Sequence, residues 1–263
     1  MSHPSFSSAE RTVWLGPLRC DDISREALVN ELVTTVGAEP VLFFNINAHS
    51  MNLALKEPNV ADAFNASDIT FCDGFGILVL DRIFGRGTLR HRTTMPDLLG
   101  DPGGVYDELH RAGGRVFLLG DEEQNVAAYA ARVEAEHPGF VAGWHSGFFP
   151  HEGPEEAAIV ERINALDVDL LLVGMGMPRQ EFWILRNRPR LRVKRMMSVG
   201  ATFAWDVSER RRGPRWATDR GLEWFFRLLY EPRRVWRRYL VGLPEVTWRL
   251  MRYRGAEKNP AEF

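Results

Sequence analysis

The stretch ITFCDGFGILVLDRIFG, residues 69–85, holds the key to the fold. A short run suited to a buried strand, ITFC, ends at an acid, Asp73. Gly74 and Gly76 bracket Phe75, and apolar residues then recur at helical spacing through GILVLDRIF. An apolar run that hands over to an amphipathic helix is the unit of a layered α/β protein. The unit recurs along the chain. VLFFNI (41–46) precedes AHSMNLALKE, RVFLLG (115–120) precedes EEQNVAAYAARVEAE, and DLLLVGMG (169–176) precedes PRQEFWILRNR. FVAGWH and MMSVGATF (196–203) read as further strands, and PEEAAIVERINAL as another helix. Strands separated by such helices pair in parallel, so the expected fold is α/β, with a Rossmann-like parallel-sheet catalytic domain.

Composition bounds the class. The chain has 263 residues, 45% hydrophobic and 26% charged, enough for one sizeable core plus an appendage. Its two cysteines, Cys20 and Cys72, make no disulfide framework, which fits a reducing compartment. The start, MSHPSFSSAERTVW, lacks a basic segment followed by an apolar run, so no signal peptide is expected. Nowhere do about 18 apolar residues run together, so no membrane-spanning helix is expected either. Charge is unevenly spread. Residues 210–254 hold 13 arginines and 4 acids, a net of +9 in a chain of total charge −2, leaving −11 elsewhere. With GPRW (213–216) as the junction, the expected division is a catalytic domain over 1–209 and a basic, tryptophan-rich helical appendage over 210–263.

In open parallel sheets, ligands bind outside the carboxyl ends of the strands. The residues there are Asn45, Asn47, Asp73, Gly120, His145, the Gly174–Gln180 loop and Gly200. Asp73 admits two roles: a cap on the following helix, or an ionised base facing a crevice. In LLLVGMGMPRQEFW (170–183), Gly174 and Gly176 end a strand and Pro178 opens a helix. Glycines let backbone N–H groups approach a ligand, and a helix N-terminus favours an anion such as a diphosphate. The dinucleotide fingerprint needs a third glycine where this loop has Arg179, and the acidic first turn of GDEEQNV (120–126) would repel phosphate. Asn45, Asn47, His49 and Asn52 suit either sugar hydroxyls or turns and caps. Arg92 in LRHRTTMPDLL is either a phosphate or carboxylate ligand or a solvated charge. No H-x-x-x-H pair occurs, and the D-x-D of Asp167 and Asp169 precedes its strand, so no metal site is expected. Nucleophilic catalysis lacks a G-x-S-x-G elbow.

The appendage has a period. Val235, Trp236, Tyr239, Leu240 and Leu243 form one apolar helical stripe, flanked by Arg233, Arg234, Arg237 and Arg238. Trp224, Phe225, Leu228 and Leu229 repeat the pattern one helix earlier. Arginine with tryptophan on an amphipathic helix suits an anionic membrane surface; a helix pair packed on the body is the other reading. Arginines scattered without a recognised motif argue against nucleic acid.

Together these segments resemble the WecG/TagA/CpsF bacterial glycosyltransferases. NINAH (45–49), DGFG (73–76), GDEEQNVA, GMGMPRQEFW (174–183) and GLEWFFRLLYEPRRVWRR (221–238) fall in the family's order and spacing, over roughly residues 12–254. The resemblance implies a fold with Rossmann-like features followed by a C-terminal membrane-binding appendage. It implies transfer of a sugar from a UDP-sugar to an undecaprenyl-diphosphate-linked saccharide on the cytoplasmic membrane face, in the synthesis of teichoic acid, capsule or exopolysaccharide. The anomeric centre inverts, and neither metal nor other cofactor is implied. Glucose, N-acetylmannosamine and their uronic acids are all open as donor, and a homo-oligomer is compatible. By the same resemblance Asp73 is the general base, and Asn47, Arg92 and Gln180 match active-site positions. Gly74, Gly76, Gly120, Gly174, Gly176, Pro178 and Gly200 are the substrate-binding candidates. Trp224, Arg233, Arg234, Trp236, Arg237 and Arg238 are the membrane-binding candidates. The chain departs from the family twice: Asn45 stands where some relatives have a catalytic threonine, and Ala204 where an aspartate often follows phenylalanine. A nucleotide-dependent oxidoreductase and a non-catalytic membrane module remain as rivals.

Overall fold

A computed structural model describes residues 11–207 and 242–258. Among these, eight strands form one sheet in the order β1-β2-β4-β3-β8-β7-β5-β6. β3 (Val41–Ile46), β4 (Ile69–Cys72), β5 (Val116–Gly120), β6 (Val141–His145), β7 (Leu170–Gly174) and β8 (Arg195–Ser198) pair in parallel, as the apolar runs predict. Their continuous hydrophobicity has a simple cause. Leu42, Phe44 and Ile46 enter the core on one face of the sheet, and Val41 and Phe43 the core on the other. A strand covered on both faces has no polar side to alternate with.

The remaining two strands are absent from the sequence reading. β1 (Arg11–Leu15) and β2 (Leu18–Asp22) form an antiparallel hairpin closed by Gly16–Pro17, with Gly16 at φ 55°. β1 is an edge strand that alternates, with Val13 and Leu15 buried and Trp14 60% exposed. Its signal is period 2 over a handful of residues, not an apolar run. β2 then joins the parallel sheet beside β4.

Helices cover both faces. α1 (Arg25–Thr34) follows the hairpin. The expected helix after β3, AHSMNLALKE, stops early as α2 (Ala48–Ala54), and Pro58 opens a further helix, α3 (Pro58–Asn65), that the sequence reading lacks. α4 (Phe75–Phe84) follows β4, and α5 (Met95–Leu99) and α6 (Val105–Arg111) lead to β5. α7 (Glu123–Glu136), α8 (Pro154–Asn164) and α9 (Arg179–Asn187) follow β5, β6 and just after β7. The last predicted strand is shorter than its apolar run. It stops at Ser198, Gly200 turns the chain at φ 59°, and α10 (Thr202–Val207) begins.

Two of the glycines predicted to bind substrate stand where packing leaves no room for a side chain. A Cβ on Gly120 would lie 2.3 Å from the Gly174 carbonyl oxygen, and one on Gly174 would lie 2.8 Å from the Phe203 ring. These glycines let the ends of β5 and β7 and the start of α10 close up. At the opposite, amino edge, ion pairs bind the sheet together: Arg188 to Asp68 at 2.9 Å, and Lys194 to Asp169 at 2.5 Å. Asp169 of the D-x-D pair also accepts the Arg115 N–H at 2.8 Å, far from the carboxyl edge.

The part of the appendage that is described is a helix, α11 (Gly242–Lys258), which packs on α2 and touches α4. Val246 and Leu250 are buried in the same core as Met51 of α2. At its start, Glu245 accepts from Asn52 Nδ2 at 2.7 Å, pairs with Lys56 at 2.9 Å and with Arg249 at 3.0 Å. Donation from Asn52, then from Lys56 and Arg249, holds its pKa down to about 2, against the ordinary 4.5. Asn52, predicted as part of a polar binding cluster, is therefore a docking residue for α11. Because the folded pKa is depressed, the contribution of Glu245 is complete above about pH 4.5 and fades as pH falls toward 2. Glu245→Gln is expected to lower the melting temperature at pH 7, and the gap from the parent should close through that acid window in thermal denaturation.

Candidate active site

The carboxyl edge of the sheet opens into a cleft of about 270 Å³. β3, β4, β7 and β8 aim their ends at it. Asn45, Asn47, Asp73, Gly176 and Gly200 line its wall, together with His49, Met177 and Thr202. Asn45 is not in the loop after β3 but within the strand itself, where it is almost fully buried. Its Nδ2 donates to the Ser198 carbonyl at 2.8 Å, which ties β3 to the end of β8. Asn47 caps α2: its Oδ1 accepts from the His49 N–H at 2.9 Å and the Ser50 N–H at 3.2 Å, while Ser50 Oγ accepts the Asn47 N–H. This capping box leaves Nδ2 directed toward Met177, with Sδ at 3.9 Å.

Asp73 continues the β4 ladder by one residue, its N–H donating to the Ile46 carbonyl at 2.9 Å. The cap position of α4 falls to Gly74, so Asp73 stands one residue outside the place its capping role would require. Gly74 sits at φ 112°, a conformation that side chains resist, and the turn carries Asp73 onto the cleft wall. Gly76 lies in the first turn of α4 and is absent from the lining. Arg92 rides on a segment docked beside the same strand end, where the Thr93 N–H donates to the Cys72 carbonyl at 3.0 Å. Burial pushes the Cys72 thiol well up; the Asp73 charge adds to this and the Arg92 charge opposes it. The strand end thus lies under both charges at once.

Two acids that sequence reasoning passed over hold that segment. Asp22 Oδ1 accepts the N–H groups of Arg90 and His91, each at 2.9 Å. Asp81 accepts from Leu89 at 2.9 Å and Arg86 at 3.2 Å. Both carboxylates are fully buried. Each gathers backbone donors that would otherwise be unsatisfied. Their only sequence signal is an acid inside an apolar context, as in LRCDD and LVLDRIF.

On the other wall, Gly176 (φ 81°) and Gly200 (φ 59°) have open space where a Cβ would stand. Pro178 is at the N-cap of α9 after a cis Met177–Pro178 bond, and does not itself line the cleft. Gln180, predicted to act on substrate, is fully buried behind this wall. Its Oε1 accepts from the Gly176 N–H at 3.2 Å and the Gly200 N–H at 3.1 Å. Its Nε2 donates to Glu181 Oε1 at 2.7 Å. Burial pushes the Glu181 carboxyl up to about 7, opposed by the Gln180 amide and the Ser198 hydroxyl. Phe203 is buried against Tyr129, and Ala204 follows it in α10. The membrane candidates Trp224, Arg233, Arg234, Trp236, Arg237 and Arg238, and the junction at 213–216, lie outside the described residues.

This arrangement puts an acid and two amides on one wall of a cleft and glycine loops on the other. The chain as a whole is similar in sequence to known proteins. Over 208 residues the chain is 26% identical to an N-acetylglucosaminyldiphosphoundecaprenol N-acetyl-beta-D-mannosaminyltransferase of Bacillus spizizenii strain W23, covering 79% of this chain and 77% of that protein. It is 24% identical to the enzyme of the same description from Bacillus subtilis strain 168, covering 83% and 80%. For that of Staphylococcus aureus strain NCTC 8325 the identity is 25%, covering 73% and 72%. Residues 13–260 match the glycosyl transferase WecG/TagA/CpsF family. The chain is a sugar-transferring enzyme and belongs to the WecG/TagA/CpsF family of glycosyl transferases.

Proposed function

We propose that this glycosyltransferase moves a hexose, of the N-acetylmannosamine type, from a UDP-sugar to a saccharide carried on undecaprenyl diphosphate at the cytoplasmic membrane face. The observation that carries the reading is Asp73 on the wall of the carboxyl-edge cleft, beside Asn45 and Asn47. The activity for which the relatives are named supports the sugar and the acceptor class. Family membership disposes of the oxidoreductase and non-catalytic readings.

The chemistry follows from the groups present. An acceptor hydroxyl attacking the anomeric carbon must lose its proton, and Asp73 takes it. The new C–O bond forms as the bond to the UDP oxygen breaks on the opposite face, which inverts the centre. One carboxylate suffices for a single displacement, whereas retention requires a second as nucleophile. Asn45 and Asn47 orient sugar hydroxyls. The departing diphosphate gathers negative charge, which Arg92 and arginines of the appendage stabilise without a metal. A lipid-bound acceptor requires the enzyme at the membrane surface. Among the described residues no helix is long and apolar enough to cross a bilayer. The amphipathic segments over 221–240 give a peripheral attachment to anionic lipid.

Three outcomes are expected. Asp73→Asn should lower the rate of transfer by a factor of about 100 or more while UDP-sugar binding by calorimetry stays close to parental. A variant that turns over at the parental rate refutes the base assignment. Mass analysis of products from a panel of UDP-sugars identifies the donor, and transfer should persist in EDTA; a loss restored by magnesium or manganese would refute the metal-free reading. Replacing Arg233, Arg234, Arg237 and Arg238 with glutamate should reduce sedimentation with vesicles rich in phosphatidylglycerol. Unchanged sedimentation would refute the membrane-binding role of these arginines. Deleting 210–263 is a poorer test, because α11 is part of the core.

A further inference from the structure

The two glycine loops that face Asp73 across the cleft have no side chains by which to be held. Gly176 follows β7 and Gly200 follows β8, and each is open where a Cβ would be. The backbone N–H is then the handle left, and one atom takes both: Gln180 Oε1, at 3.2 Å from Gly176 N and 3.1 Å from Gly200 N. A primary amide works as such a clamp in one orientation. Rotated by half a turn, it would present its NH₂ to two N–H donors. Something must therefore set which end faces the loops. Gln180 is fully buried, so no solvent shell does so. The partner of its Nε2 is the neighbouring carboxylate oxygen, Glu181 Oε1, at 2.7 Å.

We propose that Glu181 is a positioning residue: by accepting from Gln180 Nε2 it fixes the amide so that Oε1 clamps the Gly176 and Gly200 loops in the register the cleft needs. Its placement is costly. Glu181 is fully buried in the first turn of α9, where an apolar side chain of similar volume would avoid desolvating a carboxyl. Its surroundings link it to the far wall as well. The strand that leads into Gly200 ends at Ser198, whose carbonyl receives Asn45 Nδ2 at 2.8 Å. The end of β8 is thereby held from the Asn45 side and, through Gly200, from the Glu181 side. The role in catalysis rests on the glycosyltransfer reading of the cleft; the clamp itself does not.

Three variants of the full chain separate the contributions. Glu181→Met keeps the volume and removes the acceptor. Glu181→Asp keeps the charge and withdraws the oxygen by one methylene. Glu181→Gln keeps an oxygen acceptor and removes the charge. Amide hydrogen exchange at Gly176 and Gly200 reads the clamp without any substrate. Exchange there is expected to quicken about tenfold in the Met and Asp variants and to stay parental in the Gln variant. The kinetic counterpart is a rise of about tenfold to a hundredfold in the KM for UDP-sugar in the Met and Asp variants, with Gln near the parent. Parental exchange in both the Met and Asp variants overturns the proposal, and so does a Gln variant as fast as Met. If the exchange pattern holds while the parent transfers sugar from no UDP-sugar, the clamp stands and the glycosyltransfer reading fails. Should the Met variant not fold, the Asp and Gln pair decides by the same criteria.

Discussion

The parallel register of β3 with β4 on one side and β8 on the other sets the heights of the groups in the cleft. Asn45 lies level with Phe71, so Asp73, two residues on, rises just past the end of β3. Its N–H closes the ladder on the Ile46 carbonyl. On the other side Asn45 reaches the Ser198 carbonyl, immediately below the turn at Gly200. A slip of one residue in either pairing would turn Asn45 toward the opposite face and lift Asp73 off the wall. That slip is blocked by the two cores, which take alternate residues of every central strand. Packing therefore enforces the geometry of the chemistry.

Behind the cleft the protein buries polar groups that an apolar core would avoid. Asp22 and Asp81 bind the backbone that carries Arg92; Gln180 and Glu181 sit behind the glycine loops. All four are inaccessible to solvent, so each hydrogen bond acts at low local dielectric and leaving one unmade is expensive. The common result is that backbone N–H groups of these loops are paired inside the protein. A reaction that needs an acid and an anion cradle on facing walls benefits from such anchoring.

The C-terminal region divides in a way that composition hides. Its last helix returns to the body, buries Val246 and Leu250 beside α2, and is held at its start by Glu245. Composition alone would have assigned the whole region to one surface role, whereas this helix belongs to the core.

The alternation of apolar runs with helical periods was readable residue by residue: VLFFNI and ITFC are β3 and β4 without a shift. Local chemistry sufficed there, because strands buried on both faces must be apolar throughout. Asp73 was legible for the same reason, as an acid at the point where such a run stops. What the chain did not disclose depends on partners distant in sequence. Nothing local says that Asn52 faces Glu245, or that Gly120 is a glycine because the Gly174 carbonyl comes within 2.3 Å of its absent Cβ. Gln180 reads as a substrate ligand until the fold buries it between the separate loops at Gly176 and Gly200. Residue type and period specify which elements form and where chemistry can sit. Which polar groups touch the cleft, and which only hold it, is decided by long-range packing, since burial and hydrogen-bond partners exist only once the layers have closed.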